Sequence, residues 1–272
     1  MEGAVSALLC RTSDRVAETS AGARELALAI ADRLGVEARL LVTPGEPAET
    51  RFEDDLRDAR GCLLEAGGQI QDALVAGRFP VLTSSDCSIC MTTLPVLARE
   101  RPDAWVLWLD AHPDFHSPET TVSGFLGGMC LAGACGVWDA GLDRGAIDPA
   151  RVVMCGVRVV DAGERGLVDT RGLGLVERPS ALAAALAGRK LFVHLDLDVL
   201  DPSVMPGLHW PAEGGLSDGG LRTLLAEVAE AADVVGVEIT DFPAPALARR
   251  VATMVEPLLP PVPAVPEAGE PA

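Results

Sequence analysis

The chain has 272 residues, 49% of them hydrophobic, with a mean hydropathy of +0.26, enough to bury the core of one large α/β domain or two small ones. Its 22 lysines and arginines stand against 40 aspartates and glutamates, a formal charge of −18, whereas a nucleic-acid binder needs a cationic face to neutralise phosphates. The opening MEGAVSALLCRT is too short and too acidic at its start for a signal peptide, and no 18-residue apolar run exists, so a cytoplasmic protein without a membrane span is expected.

Along the chain, AVSALLC reads as a strand followed by the helical GARELALAIADRL, and ARLLV leads into a long helical segment over 51–77. FPVLT precedes SICMTTLPVLARE, and AWVLWLD precedes a glycine-rich stretch. RVVMCGVRV comes next, then LGLVE with SALAAALAG, then KLFVHLDLDV with SDGGLRTLLAEVAEAA, and DVVGVEITDF closes the series. Continuous apolar strands alternating with helices predict a parallel sheet covered on both faces, as an open three-layer sandwich or a closed barrel. There is no internal repeat or interior linker, so residues 1–257 read as one domain. From about 258, PLLPPVPAVPEAGEPA is proline-rich and aperiodic and is expected to be disordered. So short a tail is no obvious assembly element, which favours a monomer.

Seven cysteines, at 10, 62, 87, 90, 130, 135 and 155, sit largely within apolar segments, and the expectation is buried free thiols rather than a disulfide framework.

Two acidic clusters fall where strands end, the edge at which parallel sheets build their sites. WLDAHPDF supplies Asp110, His112 and Asp114, alternate residues whose side chains converge on an extended segment. VHLDLDVLDP supplies His194, Asp196 and Asp198 on one face, then Asp201. Unpaired carboxylates on a buried face are costly, and a divalent cation removes that cost. Carboxylates with imidazole suit Mn²⁺ or another first-row metal, and four aspartates are too many for one small cation. Two bridged ions per chain, Mn²⁺ or another first-row metal, about 3.5 Å apart are therefore expected, able to convert a shared water to hydroxide near neutral pH.

These motifs, with PAEGGLS and GVEITDFP after them, resemble the ureohydrolase (arginase–agmatinase) family over residues 80–243: DAHPD is similar to its D-A-H-x-D, and HLDLDVLDP to its S-x-D-x-D-x-x-D-P. The resemblance implies an α/β/α sandwich with an eight-stranded parallel sheet and a dinuclear manganese centre whose bridging hydroxide attacks a guanidinium carbon. SSDCS at 84–88 resembles the family's G-G-D-H-S, with Cys87 where a metal-binding histidine stands; a redox C-x-x-C and a zinc site are the alternatives for the Cys87–Cys90 pair. By resemblance, Cys87 and Asp114 serve one ion, His112 and Asp198 the other, and Asp110 and Asp196 bridge. A helix N-terminus at Cys87 is expected to lower its thiol pKa.

Further matches and departures concern substrate. Ser123 and Asp161 match positions that bind the α-carboxylate and α-amino group in arginases, Glu164 aligns beside Asp161, and His116 replaces a carboxylate-binding asparagine. These residues favour a guanidino amino acid over a decarboxylated amine. Asp241 stands for the guanidinium-binding glutamate, one methylene shorter, and Gly127 for a proton-shuttling histidine. His209 in GLHWP is a candidate replacement acid, the alternative being a simple loop histidine. His194, deeper on the strand, is expected to hydrogen-bond a ligand rather than to ligate.

Four aspartates and a thiolate around two dications leave the centre at −1, which weakens Lewis acidity. Without the shuttle, ordinary arginine hydrolysis should be slow. An N-hydroxyguanidine is acidified by its own hydroxyl, whose oxygen would occupy space beside Gly127 or Asp241, so Nω-hydroxy-L-arginine is the expected substrate. The rivals are an ordinary arginase or agmatinase and a metal-poor binding protein of the same fold.

Overall fold

Eight strands form one sheet, all parallel: β1 (Gly3–Leu8), β2 (Arg39–Leu41), β3 (Phe79–Ser84), β4 (Ala104–Leu109), β5 (Val152–Cys155), β6 (Gly174–Val176), β7 (Lys190–Asp196) and β8 (Asp233–Thr240). The structure is a computed structural model and describes residues 1–142 and 145–261. The strand order is β2-β1-β3-β8-β7-β4-β5-β6, with β2 and β6 as free edges, so the sheet is open and the barrel alternative falls away.

The central strands are apolar without alternation because both faces are covered. All six residues of β3 are buried, as are six of seven in β7. On one face lie the helices Glu18–Leu34, Asp218–Ala231 and Ala248–Val255, packed through Leu26, Ile30, Leu225 and Val251. On the other lie Arg60–Val75 and Cys90–Glu100, packed through Leu63, Ile70 and Leu94. The result is the expected three-layer α/β/α sandwich.

The segment expected as one helix over 51–77 is two, Phe52–Asp58 and Arg60–Val75, joined at Ala59. The first is tied down by Asp55, whose Oδ1 accepts from Arg11 at 2.6 Å. Cys10 and Cys62 form a disulfide, which corrects the expectation that every thiol is free; it joins the end of β1 to the second of these helices. The other five cysteines are free and buried. Leu258 is buried in the core, so the packed chain runs past residue 257, while 262–272 of the proline-rich tail lie outside the described residues. Among the described residues no helix is long and apolar enough to cross a membrane.

The chain order places the site. Strands β3, β8, β7 and β4 are contiguous in the middle of the sheet, and their carboxyl ends deliver Cys87, Asp241, Asp196 with Asp198, and Asp110 with His112 and Asp114, respectively. Gly22 lets the first helix sit directly against the exit of β8. A Cβ there would lie 1.6 Å from the Phe242 carbonyl oxygen, one residue from Asp241.

Candidate metal centre

All six expected ligands line one cavity of about 410 Å³ above those strand ends. The short segment after β4 folds back on itself. Asp110 Oδ1 accepts the His112 N–H at 2.6 Å, and Asp198 Oδ1 accepts the Ala111 N–H at 2.9 Å. His112 Nδ1 is 2.7 Å from Asp198 Oδ2 and 3.6 Å from Asp110 Oδ1. Asp196 Oδ1 accepts the Asp198 N–H at 2.7 Å, while its Oδ2 lies 2.6 Å from Cys87 Sγ. The thiol therefore points into the acidic cluster.

Donor atoms of Asp110, His112 and Asp198 lie within 4.8 Å of one another, as do those of Cys87, Asp110 and His194, and those of Asp196, Asp198 and Asp241. Asp110 is common to the first two groups. Asp114 and Asp241 hold φ of +49° and +50°, a left-handed conformation that costs a non-glycine residue of order 1 kcal/mol or more and collects at functional sites.

The electrostatics fit a pair of divalent cations. Arg15 is the one lysine or arginine side chain among the residues lining the cavity. Burial first, then the neighbouring carboxylates, pushes Asp110, Asp114 and Asp241 well above the carboxylate range, and Asp196 to about 8. His112 is lowered by burial, but hydrogen bonds and charge from Asp110 and Asp198 outweigh that and push it up to about 12. Asp198, disfavoured as an anion by burial, is held low by the same histidine. The Cys87 thiol is pushed well up by burial and by Asp196, Asp110 and Asp114. This corrects the expectation that a helix end lowers it: the carboxylates surround the sulfur, and only a cation reverses their effect.

One prediction follows from the signs. Asp196 keeps its proton to about 8 in the folded chain but only to its ordinary 3.8 when unfolded, so across that window the folded state binds more protons and loses stability as pH rises. Chelated protein should show a Tm that falls from pH 5 to pH 8, and saturating Mn²⁺ should raise Tm more at pH 8 than at pH 5. A flat metal-free profile in thermal denaturation would contradict this crowding.

A polar row lies beneath the ligands, one side-chain repeat down the sheet. Trp108, His194 and Glu238 are in register on β4, β7 and β8. Trp108 stacks on His194 with ring centroids 3.6 Å apart and planes 2° apart. His194 Nδ1 is 2.7 Å from Glu238 Oε1, and its Nε2 is 3.2 Å from Cys87 Sγ. Both ring nitrogens are engaged, Nδ1 by Glu238 and Nε2 by the sulfur, an arrangement that orients the sulfur. Thr240 adds a contact to the sulfur at 2.9 Å. Glu238 and Trp108 were missed from sequence, although a lone glutamate inside the apolar VVGVEIT signals a buried partner.

The substrate residues divide. His116 is buried, with Nε2 3.4 Å from Asp161 Oδ2 and Nδ1 3.1 Å from Thr120 Oγ1. Ser123 is exposed on the cavity rim, its Oγ accepting the Phe125 N–H at 3.2 Å. Glu164 is occupied by backbone, Oε1 accepting from Asp161 N at 3.0 Å and Oε2 from Phe115 N at 3.2 Å, so it braces Asp161. His209 packs edge-on against Trp210, centroids 4.7 Å apart, and burial together with Arg15 lowers its pKa. The space beside Gly127 is not open to a ligand oxygen as expected. A Cβ there would meet Phe125 Cε1 at 2.5 Å, because that ring fills it.

A model of the Arginase family matches residues 39–255. The chain is 35% identical over 256 residues to Nω-hydroxy-L-arginine amidinohydrolase of Streptomyces lavendulae, covering 92% of each chain. It is 33% identical over 190 residues to arginase of Bacillus caldovelox, covering 63% of this chain and 64% of that one. The crystal structure of arginase from Bacillus cereus superposes with a TM-score of 0.80 at 23% identity, over 94% of this chain and 96% of that one, a likeness of fold.

Proposed function

The chain belongs to the arginase family of hydrolases, which cleave C–N bonds of linear amidines, and from that premise we propose that it hydrolyses Nω-hydroxy-L-arginine to hydroxyurea and L-ornithine, a step that would serve D-cycloserine biosynthesis. The observation that carries the reading is Cys87 Sγ, set 2.6 Å from Asp196 Oδ2 inside the carboxylate cluster. Cys87 and Asp114 would hold one Mn²⁺, His112 and Asp198 the other, with Asp110 and Asp196 shared. Bound there, the pair supplies Lewis acidity that makes water a nucleophile near neutral pH.

The chain's own residues position the substrate. Asp241 is fixed by its left-handed backbone beside Asp196 and Asp198, where it would accept guanidine N–H groups. Ser123 and His116 would hold the α-carboxylate, and Asp161, within reach of His116, the α-amino group. Placing opposite charges side by side suits a zwitterion, and agmatine, lacking the carboxylate, would leave half of that subsite unused. Phe125 and Trp210 wall the cavity. His209 would be the candidate replacement acid on the cavity wall, its pKa lowered by burial and by Arg15.

The sulfur ligand and the absence of a histidine at 127 favour a substrate that needs less activation than arginine. The test is product formation by Mn²⁺-loaded protein from hydroxyarginine, arginine and agmatine, alongside metal analysis. Hydroxyarginine is expected to be turned over at least about tenfold faster than arginine, a difference of roughly 1.4 kcal/mol in barrier, and agmatine slowest. Equal rates on hydroxyarginine and arginine would refute the substrate assignment. A chain that binds no manganese would instead be a non-catalytic relative.

A further inference from the structure

His112 and Asp198 belong to turns that leave different strands, β4 and β7, yet one ion would need both side chains at a single point. Two contacts join the turns directly: the Ala111 N–H donates to Asp198 Oδ1 at 2.9 Å, and His112 Nδ1 lies 2.7 Å from Asp198 Oδ2. A cation competes for those same oxygens. A fixed geometry therefore needs support from outside the ligand atoms.

Arg158, half-buried in the segment leaving β5, reaches both turns. Its backbone N–H donates to the Ala111 carbonyl at 2.9 Å, and the Val159 N–H donates to the same oxygen at 3.1 Å, which pins the residue between Asp110 and His112. Its guanidinium donates to six carbonyl oxygens. Nη2 reaches those of Asp198 at 2.7 Å, Ala212 at 2.9 Å and Leu200 at 3.3 Å. Nη1 reaches Gly156 at 3.1 Å and Val199 at 3.4 Å, and Nε reaches Glu213 at 3.2 Å. Three of these carbonyls belong to the Asp198 turn, and two to the segment that follows His209 and Trp210 on the cavity wall. Gly156 packs on both turns at once: a Cβ there would lie 2.5 Å from Val199 Cγ2 and 3.0 Å from the Asp110 carbonyl oxygen. All six acceptors are backbone, so the guanidinium acts here through its rigid fork of donors rather than as a counter-ion.

We propose that Arg158 is a positioning residue that fixes the His112 and Asp198 turns to each other and so shapes the site of the ion they would share. The inference rests on the amidinohydrolase reading and on the assignment of those two ligands to one ion. None of the bonds from Arg158 reaches Cys87 or Asp114. Loss of the fork should therefore weaken one ion and spare the other, an asymmetry that general destabilisation would not produce.

Arg158→Lys keeps the charge but gathers its donors on one nitrogen, and Arg158→Met keeps the stem alone. Chelated protein is titrated with Co²⁺, followed by calorimetry and by the near-ultraviolet thiolate-to-cobalt absorption that only the Cys87 ion can give, so no turnover is needed. Wild type should bind two equivalents and show the band. In both variants the band should form with affinity within about threefold of wild type, while the other equivalent binds at least about tenfold more weakly. Equal weakening of both ions, or wild-type affinity for both, would overturn the proposal. So would wild-type behaviour of Arg158→Lys alone, which would make charge sufficient. Two variants that fail to fold would make Arg158 a residue of general stability and also overturn it. Wild type that binds no metal, or binds it without the thiolate band, would instead overturn the reading of the centre itself.

Discussion

Asp196→Asn is expected to lower kcat/KM by about 10³-fold and to reduce manganese to less than two equivalents. A Lewis acid supplies several kcal/mol of transition-state stabilisation, and losing about 4 kcal/mol of it is about 10³ in rate. The same substitution carries an opposite expectation for stability. In the folded chain Asp196 is pushed up to about 8 by burial, then by Asp198, so above its ordinary 3.8 it penalises the metal-free fold. Metal-free Asp196→Asn should therefore be at least as stable as metal-free wild type at pH 8, while the Mn²⁺-induced gain in Tm shrinks. Calorimetry with and without chelator measures both. A variant destabilised equally in the two states would mean that Asp196 is a structural residue.

The second large effect concerns Cys87. Its sulfur sits 3.2 Å from His194 Nε2 and 2.9 Å from Thr240 Oγ1, a space with no room for an imidazole. Cys87→His alone is expected to lose manganese and at least about 10²-fold in activity on every substrate, because the new ring must displace His194 and leave Glu238 buried without its partner. Cys87→His combined with His194→Ser opens the space and keeps a donor for Glu238. The double variant should recover metal binding and shift the preference from hydroxyarginine towards arginine. Such non-additivity marks two side chains acting as one unit. Additive losses in kcat/KM and metal content would separate them.

The fold was legible because burial on both faces leaves β3, β7 and β8 as apolar runs that only a covered parallel sheet accommodates. The convergence of the acidic cluster was legible for a related reason: aspartates that continue an apolar strand are costly there without a cation. Neither signal reaches Asp14, which lines the same cavity. It sits in CRTSDR, a polar turn like many others, and only the folding of that turn over the cavity distinguishes it. The Cys10–Cys62 link was equally hidden, since 52 residues separate the two sulfurs and no spacing rule joins them. Phe125 was missed because a ring that fills the space beside a glycine leaves no trace in local pattern. The break at Ala59 was missed because apolar periodicity runs through both halves.

The last strand of the chain, β8, is not at an edge but between β3 and β7. Until synthesis reaches residue 240, the two halves of the sheet each present a raw, hydrogen-bonding border of apolar backbone, the kind of surface on which chains associate wrongly. Insertion of β8 joins the strands that carry Cys87 and Asp196. Cys87 joins the five ligands of β4 and β7 only once β8 is in place, so a ribosome-stalled fragment ending before Asp233 should bind manganese more weakly than the full chain.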